Sequence, residues 1–102
     1  MQCNWKDACK GDLKRAHAIS VLMEKHPDLM RWLFKDDKPE LKTSPEEMLR
    51  RAGAFSTGER ILIRVALDLW SGDGNTKVME LDRLDPGNFE NALHAISLMR
   101  SF

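Results

Sequence analysis

The sequence predicts an all-α fold: a single compact bundle of five or six short helices around a central buried helix at about residues 57–71. Two observations carry that prediction. Three helix starts have a chemical cap, at Ser44, Ser56 and Asp85. Apolar residues recur at helical spacing through most of the chain, and no segment alternates in the two-residue period of a strand.

The central segment is Ser56–Gly72, the longest apolar-rich stretch. Ser56 and Glu59 form a capping-box pattern, in which the hydroxyl accepts from the Glu59 N–H and the carboxylate reaches back. Gly72 is a suitable stop, because glycine tolerates the left-handed conformation that closes a helix. Ile61, Leu62, Ile63, Val65, Ala66, Leu67, Leu69 and Trp70 leave only Arg60, Arg64 and Asp68 as a polar stripe. A helix apolar on nearly all sides is a buried one. Arg64 and Asp68 are spaced to pair at i,i+4.

The remaining elements follow in chain order. Residues 1–11 read as a loose arm anchored by Trp5. Asp12 caps a helix running to about Lys25, stopped by His26-Pro27 because the residue before proline avoids the α region. Pro27 opens a short helix from Asp28 to Lys35. Residues 35–43 are charged and form a surface loop. Ser44-Pro45-Glu46-Glu47 starts a helix over about 45–53, stopped by Gly53, with Phe55 as a staple before the central helix. The turn-rich run 71–76 leads into Lys77–Leu84, where Val78, Leu81 and Leu84 are three apart; a short helix is the first reading and a strand the alternative. Asp85-Pro86 begins the last helix, whose apolar face is Phe89, Ala92, Leu93, Ile96 and Met99, antiparallel or steeply crossed against the central one.

Length and charge bound the function. A chain of 102 residues is read as one domain, able to bury a core without staples. Lys plus Arg and Asp plus Glu are equal at 16 each, which disfavours a mainly electrostatic partner such as nucleic acid or an anionic membrane. No apolar run reaches a membrane span and the start has no apolar signal core. Two cysteines, Cys3 and Cys9, make no disulfide framework, so a cytoplasmic protein with free thiols is expected.

Three constellations are candidates for chemistry. Ser71, Asp73, Asn75 and Asp82 fall at positions 1, 3, 5 and 12 of a calcium-type loop. However, position 1 is not Asp, and position 6 is Thr76 where the sharp turn needs glycine, so a solvated turn is preferred over a cation-binding protein. Residues 45–70 resemble a helix-turn-helix in outline, the alternative reading as a nucleic-acid-binding regulator. The second helix offers mainly Glu59, Arg60, Arg64 and Asp68, two of them acidic, and an antiparallel helix pair in a core is preferred. Cys3, Cys9, His17 and His26 fit no structural zinc spacing. Neither a nucleophile–base pair nor paired carboxylates can be argued, so an enzyme is unsupported, and no cofactor or metal is expected.

The segment Gly58-Glu59-Arg60-Ile61-Leu62, Ala66-Leu67-Asp68-Leu69-Trp70-Ser71-Gly72-Asp73-Gly74, Leu84-Asp85 and Asn88-Phe89 with Ala92-Leu93 and Ala95-Ile96 resembles the C-terminal part of small bacterial and phage-type helical proteins. The resemblance covers under half of the chain. It implies a bacterial, cytoplasmic origin and brings no activity or site residues.

The preferred function is therefore a protein–protein interaction or accessory, regulatory module, with a protein partner or self-association. The expected contact is Leu29, Met30, Trp32, Leu33 and Phe34, joined by Phe102, because a short helix beside a charged loop holds more large apolar residues than one face can hide. Within that set Trp32 and Leu33 are assigned to the core, Met30 and Phe34 to the surface.

Overall fold

The computed structural model of the chain describes residues 10–36 and 40–100. Five α-helices follow one another: α1 (Lys10–Leu22), α2 (Pro27–Leu33), α3 (Pro45–Arg51), α4 (Thr57–Ser71) and α5 (Pro86–Arg100). Two 3-10 stretches, Ala52–Ala54 and Val78–Arg83, complete the order. Among the described residues there is no strand, only an isolated antiparallel bridge between Phe34 and Leu41. The radius of gyration, 12.6 Å, matches the ~13 Å of a folded globule of about 100 residues. The chain is an all-α compact globule.

α4 is the buried helix the sequence predicts. Ser56 accepts the Glu59 N–H at 3.3 Å, and the Glu59 carboxylate accepts the Ser56 N–H at 3.2 Å and its hydroxyl at 2.8 Å. Gly72 closes the helix with φ 77°, its N–H shared between the Leu67 and Asp68 carbonyls. Ile61, Leu62, Ile63, Val65, Ala66 and Leu67 are all buried, and each of them except Ala66 is worth roughly 1.5–3 kcal/mol of transfer free energy. The caps at Ser44 and Asp85 also form: Ser44 Oγ accepts the Glu47 N–H at 3.2 Å, and Asp85 Oδ1 accepts the Asn88 N–H at 2.8 Å.

The outer helices pack on one another as well as on α4. α5 packs most extensively on α1 and touches α4 less. Both outer helices carry fully buried small side chains, Ala18 on α1 and Ala92 and Ala95 on α5, and small residues let helix axes approach closely. Lys14 Nζ adds a hydrogen bond to the Met99 carbonyl at 3.1 Å.

Several boundaries are corrected. α1 starts at Lys10, so Asp12 lies inside the helix, and Lys10 and Gly11 belong to it rather than to an arm. It ends at Leu22, not Lys25, because the chain tightens into a turn in which the His26 N–H donates to the Met23 carbonyl at 2.8 Å. α3 stops at Arg51, and the chain passes through Gly53 in a 3-10 turn instead of stopping there. α2 ends at Leu33, two residues before Lys35, with Phe34 in extended conformation.

That last change overturns the expected surface patch. Leu29, Met30, Leu33 and Phe34 are all buried, Met30 at 8% and Phe34 at 2% exposure. By leaving the helix, Phe34 escapes the geometry of a single helical face, and its ring meets Trp70 of α4 edge-on at 5.1 Å. Trp32 is half-buried and meets Phe55 edge-on at 5.1 Å. These two aromatic contacts, of a kind worth about 0.5–1.5 kcal/mol each beyond area burial, fasten α2 at both ends of α4. Phe102, Trp5, Cys3 and Cys9 lie outside the described residues.

Candidate functional site

The chain between α4 and α5 gathers the unusual chemistry. Asp68, on the last turn of α4, turns its carboxylate to the following loop. Oδ1 accepts the N–H of Gly74 at 2.8 Å and of Asn75 at 3.2 Å; Oδ2 accepts that of Thr76 at 2.9 Å. Arg64, one turn earlier, does not pair with Asp68 as its spacing predicts. It reaches across to Glu80, Nη1 to Oε2, at 2.7 Å. Glu80 also accepts the Lys77 N–H at 3.0 Å, and these two donors hold its carboxyl below the usual range, the backbone bond foremost. The loop is thus folded back against α4 so closely that a side chain on Gly74 would begin 1.9 Å from the Arg64 carbonyl oxygen.

This loop is not built as a calcium loop. Ser71 donates its hydroxyl to Asp73 at 2.7 Å, Asn75 adopts a left-handed φ of 54°, and Asp82 lies exposed in the 3-10 helix. The carboxylate at the loop's centre is Asp68, outside the expected spacing, and it is occupied by backbone donors. Among the described residues no group of three or more His, Cys, Asp or Glu side chains could hold a metal ion. His17 is exposed and His26 half-buried at the start of α2, its Nε2 buried without a hydrogen-bond partner.

Val78–Arg83 settles the helix-or-strand alternative as a 3-10 helix, and its period of three separates three kinds of surface. Leu81 and Leu84 point to the core, each 8% exposed. Glu80 and Arg83 line a cleft against α4. Met79 and Asp82 face solvent. Val78, which shares spacing with Leu81 and Leu84, sits at the rim and is 84% exposed; Met79 is 86% exposed.

Two concavities flank this helix. On one side Val65, Leu69, Val78, Leu81 and Ile96, with Asp68 and Thr76, line a mainly apolar groove of about 170 Å³. Of the exposed apolar side chains, Val78 and Ile96 line this groove, while Met79 follows Val78 in the chain and Leu93 lies three residues before Ile96 on α5. On the other side is a polar cleft of about 340 Å³, where Arg60 and Arg64 of α4 meet Glu80 and Arg83, over Gly74 and Asn75. Of these residues, the sequence singles out Arg60 and Arg64 as a polar seam but gives no reason to bring Arg83 to them. Met79 falls outside the three-residue spacing of Val78, Leu81 and Leu84, which marks it in the sequence as a surface residue, whereas nothing in the sequence separates exposed Val78 from its two buried partners.

The helix-turn-helix outline of 45–70 is realised as α3, a 3-10 turn and α4. α4 is enclosed on most sides and offers solvent only a narrow stripe containing Arg60, which leaves little of it to enter a groove of DNA. Among the described residues no helix is long and apolar enough to cross a membrane. No family model, curated protein or solved structure matches the chain.

Proposed function

We propose that this chain is a protein–protein interaction module whose contact surface is the apolar face made by Val78, Met79, Leu93 and Ile96. The observation that carries the reading is the exposure of Val78 and Met79, 84% and 86%, immediately beside an apolar groove. Scattered surface hydrophobics are ordinary. Two that line one groove, Val78 and Ile96, each with a further exposed apolar residue beside it on the same element, Met79 and Leu93, have the composition of an interface.

The occupant we assign is a second copy of this chain. The face carries both a projection and a recess, and a two-fold contact sets the same patch of each copy against the other. Methionine suits the projecting role, since its unbranched, polarisable side chain fills irregular apolar gaps. A groove of about 170 Å³ is of the size of the ~150 Å³ apolar cavity that accepts a benzene ring. A formal net charge of zero leaves no overall repulsion between copies. In the same proposal the chain is a cytoplasmic accessory or regulatory module of bacterial or phage type, supported by the resemblance of its Gly58–Ile96 segments.

Sedimentation equilibrium across the micromolar range is the test. Wild type is expected to dimerise with rising concentration, and Met79→Asp to remain monomeric with an unchanged helical circular dichroism spectrum. A wild type that stays monomeric throughout, or a Met79→Asp variant that dimerises equally, overturns the assignment.

A further inference from the structure

The cleft on the opposite side of the 3-10 helix has a different character. Arg60 and Arg64 lie four residues apart on α4 and so share one of its faces; Arg83 comes from the facing 3-10 helix, and all three line the cleft. One carboxylate, Glu80, lies among them, already bound by Arg64 at 2.7 Å. The Arg60 side chain makes one hydrogen bond, to the Thr57 hydroxyl at 3.3 Å. Arg83 has no ion-pair or hydrogen-bond partner among the described residues. Guanidinium groups stay charged at any physiological pH, so the cleft holds a permanent excess of two positive charges.

Arginines on two other helices are paired with carboxylates. On α2, Arg31 is engaged by Asp28; on α3, Arg50 and Arg51 both bond Glu47. The cleft instead leaves two guanidinium forks uncommitted to any carboxylate, beside a volume of about 340 Å³, at the small end of the ~300–1,000 Å³ of small-molecule pockets.

We propose that this cleft binds a small phosphate-bearing molecule, a phosphate monoester or pyrophosphate, through Arg60 and Arg83, with Arg64 held in place by Glu80. A phosphate group matches the site better than a carboxylate does. It carries up to two negative charges and three acceptor oxygens, enough to receive forked donors from two directions at once. Arg64 offers no free fork, because Glu80 holds it in an ion pair. Gly74 keeps the loop flush with α4 and so leaves the cleft between the arginines open. The site is independent of the apolar face, which lies across the 3-10 helix.

The test is a titration followed by the side-chain Nε–Hε resonances of the arginines, at low ionic strength because salt screens such contacts. The probes are pyrophosphate and inorganic phosphate, with sodium chloride at matched ionic strength as control. Saturable shifts are expected at Arg60 and Arg83 with pyrophosphate and not with chloride. Arg83→Gln and Arg60→Gln, both at exposed positions, should each weaken binding about tenfold, the effect of losing one charge-assisted contact. Arg31→Gln should leave it unchanged. Shifts that fail to saturate in the millimolar range, that chloride reproduces, or that persist at wild-type affinity in both cleft variants overturn the proposal. So does tighter binding of a short DNA duplex than of pyrophosphate, which would make the cleft part of a nucleic-acid surface.

Discussion

The carboxylate of Asp68 and the backbone N–H of Gly74 lie 2.8 Å apart, so that the last turn of α4 holds the loop that follows it. With the Asn75 and Thr76 N–H groups on the same carboxylate, one side chain satisfies three donors that the turn would otherwise leave to solvent. Asp68→Ala is expected to cost about 2–3 kcal/mol, in the range of charge-assisted hydrogen bonds. Hydrogen exchange at Gly74 and Thr76 should accelerate more than exchange in the middle of α4; uniform acceleration would mean that Asp68 supports the whole fold rather than this loop.

Gly74→Ala tests the same closure from the other side. The new methyl group would start 1.9 Å from the Arg64 carbonyl oxygen and 2.8 Å from the Asp68 carboxyl carbon. Neither the helix backbone nor a carboxylate fixed by three bonds can give way cheaply. A loss of roughly 1–3 kcal/mol is expected, as for overpacking, read as a lower urea midpoint. Gly53→Ala, where nothing lies within 4 Å, should be nearly neutral.

Met30 and Met79 form a natural pair of controls. Met30 is buried in the core and Met79 is 86% exposed. Met30→Asp should destabilise by about 3 kcal/mol or more, because it places an unpaired carboxylate among apolar side chains. Met79→Asp should leave thermal unfolding of the monomer within about 0.5 kcal/mol of wild type. Equal melting of the two variants would contradict the burial described for α2.

Acid should weaken the fold through its helix caps. Asp85 and Glu59 accept hydrogen bonds from the groups they cap, the Asn88 backbone N–H and the Ser56 hydroxyl foremost, and both are held below the usual carboxylate range. Glu80 is lowered too, and Glu47, between Arg50 and Arg51, is lowered from 4.5 to about 2. A carboxylate whose folded value lies below its unfolded one contributes fully above the unfolded value and loses that contribution as pH falls through the folded one. The urea midpoint is therefore expected to be level near neutrality and to fall below a pH of about 4. Glu59→Gln should flatten that fall; an identical profile would remove the capping box from the account.

Much of this architecture could be read from the sequence, because its signals are local. Ser44, Ser56, Gly72 and Asp85 mark helix ends through bonds that span only a few residues, and those ends appear where expected. What depended on tertiary choice could not be read. Arg64 prefers Glu80, sixteen residues away, to Asp68 one turn along, because the loop brings Glu80 within reach while Asp68 is taken by backbone donors. Phe34 is buried because the chain turns extended there, supported by Lys35 N–H to the Glu40 carbonyl and Lys42 N–H to the Leu33 carbonyl. The surplus of apolar side chains at 29–34 was real, but a bend rather than a partner absorbed it. The cleft likewise needs three arginines from two elements, and only folding brings Arg83 opposite Arg60.

The pairing of α1 with α5 bears on how the chain acquires its structure. Leu22 and Pro86 bracket everything between those two helices, so their mutual surface cannot form until α2 to α4 and α5 itself are all available. The contact is non-local in sequence, and such contacts slow the search for the native state. On a ribosome, α2 to α4 would emerge with α1 still lacking its main companion, its buried face around Ile19 and Leu22 awaiting a segment not yet made. A refolding rate well below that of helical proteins with sequential neighbours, and sharply reduced by Ala92→Gly, would place this late-arriving contact within the rate-limiting step.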